Sequence, residues 1–253
     1  MSSQSSHQIL LDQLALLRLP AFRQALESQL ASPHYEELSF EERLSLLVEQ
    51  EVLSRQQNRV QRRVRQARFP QTAMVQDIDF SAGRGLQRQQ VLQLAQTTLI
   101  RKGLNLIVLG PTGAGKTFLS SALGYAACEQ DLVTRYFCLP RLFQDFKMAQ
   151  LEGTYPRLIK SLHNTDLLIL DDWLRDPPSL VEAQFLLDIL DDRYGRMATL
   201  LVSQFPIPTW HARLPDPTLA DAILDRLVHN AHRIELAGES QRKLRGQLNL
   251  SST

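Results

Sequence analysis

The chain has 253 residues, of which 43% are hydrophobic and 22% charged, enough for one α/β domain and a smaller appendage. The formal net charge is only +1, so attraction to nucleic acid requires a local basic cluster. Two cysteines without a CxxC pair exclude a disulfide framework, and no apolar run reaches the roughly 20 residues of a membrane span. We therefore expect a cytoplasmic protein with no membrane partner.

The first 68 residues are predicted to be helical. They contain no glycine and are rich in Leu, Gln, Glu and Arg. A capping-box pattern at Ser39–Glu42 predicts a long helix from about Phe40 to about Arg68. Short apolar runs that alternate with helical stretches begin near residue 75. We expect an all-helical N-terminal domain for DNA or partner interaction over residues 1–72, and an ATPase domain over residues 73–253.

The second half of this predicted helix is strongly basic, and no acidic residue follows Glu51 in it. At 100° per residue, one face of the helix carries Arg55, Arg59, Arg62 and Arg63. Such a face can follow a phosphate backbone, so we expect these four arginines to contact DNA. The alternatives are a solvated helix face or a dock for acidic patches on a sister subunit.

Buried strands are predicted where short apolar runs occur in the second domain. They lie at Leu104–Leu109, Val133–Leu139, Leu167–Leu170 and Leu200–Val202, with a weaker fifth at Ile234–Leu236. Near-continuous apolar strands separated by helices are typical of a parallel sheet covered on both faces. The predicted fold class is therefore α/β.

A phosphate-binding loop follows the first of these strands. Residues 110–117 read Gly-Pro-Thr-Gly-Ala-Gly-Lys-Thr and match G-x-x-x-x-G-K-[ST] at every fixed position, between a strand and a helix. Lys116 is expected to reach the β- and γ-phosphates and the Thr117 hydroxyl to ligate Mg²⁺. The expected cofactors are ATP and Mg²⁺, with nucleotide contacts from Gly110, Pro111, Thr112, Gly113, Ala114, Gly115, Lys116, Thr117 and Phe118.

Two helices are predicted after the second strand, at Arg141–Glu152 and Tyr155–His163. They form a second candidate nucleic-acid surface, on which we expect Lys147 and Lys160 to contact DNA. The alternative is that these charges are ordinary solvent-facing residues.

Carboxylates follow the third strand directly, at Asp171 and Asp172. We expect Asp171 to hold Mg²⁺ beside the phosphate loop, and Asp172 to orient or deprotonate the attacking water. The alternative is a strand that ends in solvated carboxylates.

Two further polar features follow. The strand at Thr199–Val202 ends in Ser203 and Gln204, which are candidates to contact the γ-phosphate or simply cap the end of a strand. A predicted helix over Thr218–His229 carries Arg226 beside Asp225, which suits a finger into a neighbouring subunit's nucleotide or an ordinary ion pair. Arg233 and Arg242 are weaker candidates for the finger.

These features together resemble the IstB-like ATPases, helper proteins encoded beside the transposase in one group of insertion sequences. The wider AAA+ clade also contains the DnaC helicase loaders. The resemblance covers nearly the full length and is found at Leu17–Pro20, Arg55–Pro70, Phe80, Gly110–Thr117, Leu167–Trp173, Arg193-Tyr194, Ser203-Gln204 and Gly238–Arg242.

The resemblance implies an AAA+ domain with a five-stranded parallel sheet. Only 27 residues follow Arg226, so we expect no separate helical lid of the kind found in many AAA+ proteins. The resemblance also implies that ATP-loaded subunits form a homo-oligomer on double-stranded DNA, with nucleotide at the interfaces, and mark the site for a cognate transposase until hydrolysis disassembles them. Lys116, Asp171, Asp172 and Gln204, with Ser203 as second choice for the sensor, would act from one subunit and Arg226 from the next.

Departures from the family pattern qualify these expectations. Asp172 and Gln204 stand where most AAA+ proteins have Glu and Asn, and Leu174 replaces a usual glycine. Asp is one methylene shorter than Glu, so we expect slow ATP hydrolysis. The phosphate loop, the acidic pair and the basic helix together lead us to expect that DNA stimulates it. Alternative functions are a helicase loader of the same clade and a DNA-coating protein in which ATP only joins the subunits.

Overall fold

The computed structural model describes residues 2–80 and 85–238, with side chains from residue 7 onward. Its contacts divide the chain into two compact units that meet in sequence at Arg62 and Arg63. The first unit is built from α1 (Ser2–Leu16), α2 (Pro20–Ala31), a 3₁₀ turn (Pro33–Glu37) and most of α3 (Phe40–Ala67). The predicted long helix is therefore confirmed, and Ser39 and Glu42 form the expected reciprocal cap.

One buried carboxylate organises the first unit. Glu51 on α3 accepts hydrogen bonds from the backbone N–H groups of Ala21 and Phe22, both at 3.0 Å. These are two of the donors that the first turn of α2 leaves without helical partners. Arg55 holds the same carboxylate at 2.7 Å and donates to the Arg18 carbonyl at 2.8 Å. Arg55 therefore fixes the junction between α1 and α2.

The second unit contains a five-stranded parallel sheet in the order β2-β3-β4-β1-β5. Its strands are β1 (Asn105–Leu109), β2 (Thr134–Cys138), β3 (Leu167–Asp171), β4 (Ala198–Ser203) and β5 (Ala231–Glu235). The prediction of a five-stranded parallel sheet is confirmed. The weak fifth strand was placed too late at Ile234–Leu236, because β5 is an edge strand and its polar residues His232 and Arg233 hid its start.

Helices cover both faces of this sheet. They are α4 (Arg88–Ala95), α5 (Thr98–Arg101), α6 (Lys116–Glu129), α7 (Leu139–Leu151), α8 (Tyr155–His163), α9 (Leu180–Arg193) and α10 (Pro217–Val228). One apolar cluster includes Trp173, Phe185 and Ile223, and another includes Leu123 and Val202. Short 3₁₀ turns lie at Val75–Asp77, Ile207–Thr209 and His211–Arg213. Within residues 2–80 and 85–238, no helix is long and apolar enough to cross a membrane.

A buried arginine binds the amino edge of the sheet. Arg193, at the end of α9, is only 1% exposed. Its guanidinium donates to the carbonyls of Leu162 and Thr165, at 2.8 and 2.7 Å, and to that of Ala198. Burial lowers the pKa of Arg193 to about 10. The part of the resemblance at Arg193-Tyr194 is therefore a structural anchor, far from the carboxyl edge where the phosphate loop begins.

Candidate nucleotide site

The phosphate loop follows the carboxyl end of β1, and its three glycines, Gly110, Gly113 and Gly115, all have positive φ. Gly110 has φ 149°, and a Cβ there would lie 2.5 Å from the Leu236 carbonyl oxygen. Gly115 caps α6 with φ 94°. Glycine adopts these conformations at little cost, and a glycine-rich loop that leads into a helix N-terminus can present backbone N–H groups to an anion. The loop therefore has the backbone features of an anion cradle.

Lys116 and Thr117 stand in the first turn of α6. The Lys116 ammonium donates to the carbonyls of Gly110 and Pro111 at 2.8 and 2.9 Å, so it lies against the first two peptide groups of the loop. The Thr117 hydroxyl donates to Asp171 Oδ2 at 2.7 Å. Residues 54 positions apart in sequence thus meet at one point, as the sequence predicts for a shared cation.

Asp171 is buried and has three protein donors. Its Oδ2 accepts the Thr117 hydroxyl and the Tyr136 hydroxyl, and its Oδ1 accepts the Asp172 N–H at 2.7 Å. Burial, together with the neighbouring Asp171 charge, raises the pKa of Tyr136, so its phenol stays protonated and donates. Sequence reasoning missed Tyr136, because its place beside Asp171 depends on β2 pairing with β3.

Asp172 has a different environment. Its carboxylate oxygen accepts from Arg175 Nη1 at 2.8 Å and from the half-buried Cys138 thiol at 3.4 Å. Its backbone is left-handed, with φ 56°. About 43% of the side chain is exposed, so the carboxylate is accessible to water. Arg175 was not predicted as part of the site, since a charged residue in a loop carries no sequence signal of its partner.

Gln204 reaches the phosphate loop from the end of β4. β4 pairs with β1, which brings Ser203 level with Leu109. The Thr112 hydroxyl donates to Gln204 Oε1 at 2.7 Å. Ser203 is fully buried and donates to the Trp173 carbonyl at 3.1 Å. Of the two sensor candidates, the structure therefore brings only Gln204 to the loop.

The Arg226 backbone lies at the amino end of β1, opposite the end where the phosphate loop begins. Asn105, the first residue of β1, donates to the Arg226 carbonyl at 2.8 Å, whereas the phosphate loop follows Leu109. Four strand residues separate these levels by roughly 13 Å. The Arg226 side chain is 32% exposed, pairs with Asp191 and Asp225, and lines an open groove of about 700 Å³. It does not serve the loop of its own chain.

The candidate DNA contacts differ in exposure and in the partners of their side chains. Arg63 pairs with Asp131, and Lys147 pairs with Glu182 at 3.0 Å. Arg55 is engaged as described above. Arg59, Arg62 and Lys160 are exposed. Arg233 is an exposed residue of β5, and Arg242 lies outside the described residues.

The chain is similar to a known family of ATP-binding proteins. Residues 12–248 match the family of IstB-like ATP binding proteins. The chain belongs to this family. A relative from Sinorhizobium fredii, named as an insertion sequence ATP-binding protein, is 42% identical over 233 residues, covering 92% of this chain and 95% of the relative. The corresponding protein of insertion sequence IS21 from Pseudomonas aeruginosa is 32% identical, covering 90% and 86%.

Solved structures confirm the AAA+ fold of this IstB-like protein. A crystal structure of DnaI has a TM-score of 0.58 at 22% identity, covering 65% of this chain and 91% of that one. AMPPCP-bound DnaA from Aquifex aeolicus has a TM-score of 0.56 at 16% identity, covering 74% and 57%. At these identities the likeness concerns the fold alone.

The residues of the IstB-like site fit a magnesium nucleotide. Thr117 and Asp171 supply hard oxygen ligands, which Mg²⁺ prefers. Their oxygens are 2.7 Å apart. Two oxygen ligands at right angles around Mg²⁺ lie roughly 2.9 Å apart, so the pair needs little movement to share the ion. Tyr136 would hold the Asp171 carboxylate in place from outside the metal's ligand shell.

The resemblance leads us to expect glycine at position 174, and the backbone of Leu174 has a conformation that glycine adopts at little cost. Its φ is 52°, a left-handed conformation that costs a leucine about 1 kcal/mol. The side chain, however, is fully buried in the cluster that contains Trp173 and Trp210. Deleting a buried leucine side chain costs about 2–5 kcal/mol, so burial outweighs the strain.

We predict that Leu174→Gly lowers the free energy of unfolding by about 2 kcal/mol, because the lost packing exceeds the relieved strain. Leu174→Ala should be less stable still, since it loses the packing and keeps the left-handed backbone. Urea unfolding of both variants and the wild type measures this. A Leu174→Gly protein more stable than the wild type would show that backbone strain dominates at this position.

Proposed function

We propose that this IstB-like protein is an ATP-dependent DNA-binding helper of an insertion-sequence transposase. ATP-bound subunits assemble on double-stranded DNA, mark the target site and recruit or stimulate the transposase. ATP hydrolysis then disassembles the complex. The curated relatives are named as insertion sequence ATP-binding proteins, which supports the transposition context.

The contact of Thr117 with Asp171 is the observation that best supports hydrolysis. It joins the phosphate loop to the strand that delivers both carboxylates. In the proposed reaction Lys116 and the loop N–H groups bind the phosphates, and Thr117 and Asp171 hold Mg²⁺. Mg²⁺ neutralises the charge of the phosphates when bound. Asp172 accepts the proton of the attacking water, and Gln204 contacts the γ-phosphate from β4.

The position of Arg226 supports assembly into a homo-oligomer. Arg226 lines an open groove beside α10 and does not contact the phosphate loop of its own chain, so we propose that it reaches the nucleotide of a neighbouring subunit. Head-to-tail contact of this kind is heterologous and builds rings or open filaments. Each nucleotide would then lie at a subunit interface, and hydrolysis would require two neighbours.

A replicative helicase loader remains the second candidate. The likeness to the DnaC helicase loader has a TM-score of 0.51 at 18% identity, which concerns the fold alone. The insertion-sequence relatives are 42% and 44% identical over most of the chain. The sequence evidence therefore favours transposition, and parallel pull-downs with a transposase and with a replicative helicase separate the two functions.

The main test measures ATP hydrolysis and particle size with and without duplex DNA. We predict that DNA raises the turnover rate and that ATP is required for large particles on DNA. Lys116→Ala should abolish ATP binding and, with it, assembly, because the loop loses the ammonium group that binds the phosphates. Wild-type-sized complexes formed by this variant, or a wild-type rate and size unchanged by DNA, would refute the proposed function.

We predict that Arg226 acts on a neighbouring subunit's nucleotide. Arg226→Ala and Asp172→Asn should each hydrolyse ATP poorly when alone, since one lacks the finger and the other the base. An equal mixture should recover up to roughly a quarter of the wild-type rate, the random share of head-to-tail interfaces that pair both intact parts. A mixture no faster than the mean of its components would place Arg226 outside catalysis.

We predict that Arg59 and Arg62 contact DNA phosphates. Their joint replacement by Ala should weaken binding and reduce the slope of log K against log salt by about 1.8, the value for two lost phosphate contacts. Gln57→Ala with Gln61→Ala, on the same helix, is the matched control and should leave the slope unchanged. Filter binding over a salt series measures it, and an unaltered slope in the arginine variant would assign both residues a structural role.

A further inference from the structure

The chain segment after Asp171 has an unusual backbone. Asp172 and Leu174 both have positive φ, at 56° and 52°, although neither is glycine. The Arg175 N–H donates to the Asp172 carbonyl at 3.0 Å, which closes the segment into a tight turn. Such conformations persist only where the surroundings impose them. The direction of the Asp172 side chain therefore depends on whatever holds this turn.

Contacts from β4 hold the first part of the turn. The Trp173 N–H donates to the Val202 carbonyl at 2.8 Å. The Ser203 hydroxyl donates to the Trp173 carbonyl at 3.1 Å. Both bonds join Trp173, which lies between the two left-handed residues, to β4, the strand that precedes Gln204.

A single arginine holds the second part of the turn. Arg213, in the 3₁₀ turn at His211–Arg213, donates from Nε to the Leu174 carbonyl and from Nη2 to the Arg175 carbonyl, both at 2.7 Å. Its guanidinium carbon also lies 3.8 Å from the ring centroid of Phe205. Phe205 directly follows Gln204. One planar group thus joins the segment after the catalytic carboxylates to the segment after the sensor.

We propose that Arg213 is a positioning residue that aims the Asp172 carboxylate at the attacking water. It acts through the backbone of Leu174 and Arg175, and Arg175 in turn holds the Asp172 carboxylate at 2.8 Å. The inference rests on the proposed ATPase function and adds a residue to it. Because the same guanidinium stacks on Phe205, the orientation of Asp172 is tied to the position of the chain beyond Gln204.

Arginine is required for this arrangement, and lysine cannot replace it. The planar guanidinium donates two parallel bonds to neighbouring carbonyls while its face stacks on an aromatic ring. A lysine ammonium keeps the charge but lacks both the fixed fork and the flat face. Arg213→Lys therefore tests geometry at constant charge.

Steady-state ATP hydrolysis of the full chain with duplex DNA is the first readout. We expect Arg213→Lys to lower kcat about tenfold or more, because a small displacement of a catalytic group can cost up to about a hundredfold in rate. The KM for ATP should change less than twofold, since the phosphate loop is untouched. Arg196→Lys, an exposed arginine, is the matched control and should leave both constants unchanged.

Combination with Asp172→Asn is the second readout. If Arg213 acts through Asp172, adding Arg213→Lys to Asp172→Asn should slow single-turnover hydrolysis no further. A kcat of Arg213→Lys within twofold of the wild type, a KM that rises as much as kcat falls, or an additive loss in the double variant would each overturn the proposal.

Phe205→Leu tests the positioning role of Arg213 if Arg213→Lys does not fold. It removes the stacked ring and leaves the hydrogen bonds of Arg213, so kcat should fall about threefold or more at constant KM. An unchanged kcat would overturn the proposal. Failure of the wild-type protein to hydrolyse ATP is a different result, since it would refute the proposed function itself.

Discussion

The hydrogen bond between Thr117 and Asp171 is the contact on which the arrangement of the site depends. β1 and β3 are parallel and end at the same edge of the sheet, with β4 between them. The phosphate loop therefore has to turn back over the end of β4 before α6 begins. This path brings Thr112 to Gln204 and Thr117 to Asp171. The phosphate loop, α6 and the ends of β3 and β4 therefore meet where a magnesium nucleotide would bind.

Acidic residues at this edge differ in their surroundings, and the difference matches their proposed roles. Asp171 is 5% exposed and accepts three hydrogen bonds, which suits a fixed metal ligand. Asp172 is accessible and bonded mainly to Arg175, so its carboxylate can reach water. The two adjacent carboxylates therefore have different surroundings, because Asp171 is the last residue of β3 whereas Asp172 has a left-handed backbone.

Local patterns in the sequence predicted the main elements and much of the site. The apolar runs gave the central strands, and the glycine spacing gave the phosphate loop, because both signals are local. Tyr136, Arg175 and Arg213 were not predicted, since their roles arise from strand order and from a turn closed across β4. The start of β5 was also misplaced, because β5 is an edge strand and most of its residues are not buried. The roles assigned to the site residues stay predictions.

The proposed reaction depends on uptake of ATP together with Mg²⁺ at residues 110–117 and Asp171. Isothermal titration calorimetry of the intact protein with ATP, in the presence of Mg²⁺ and again with EDTA, is the most direct measurement. We predict one ATP per chain with Mg²⁺ and a clearly weaker affinity without it. No heat of binding, or an affinity that is the same in both conditions, would contradict the account.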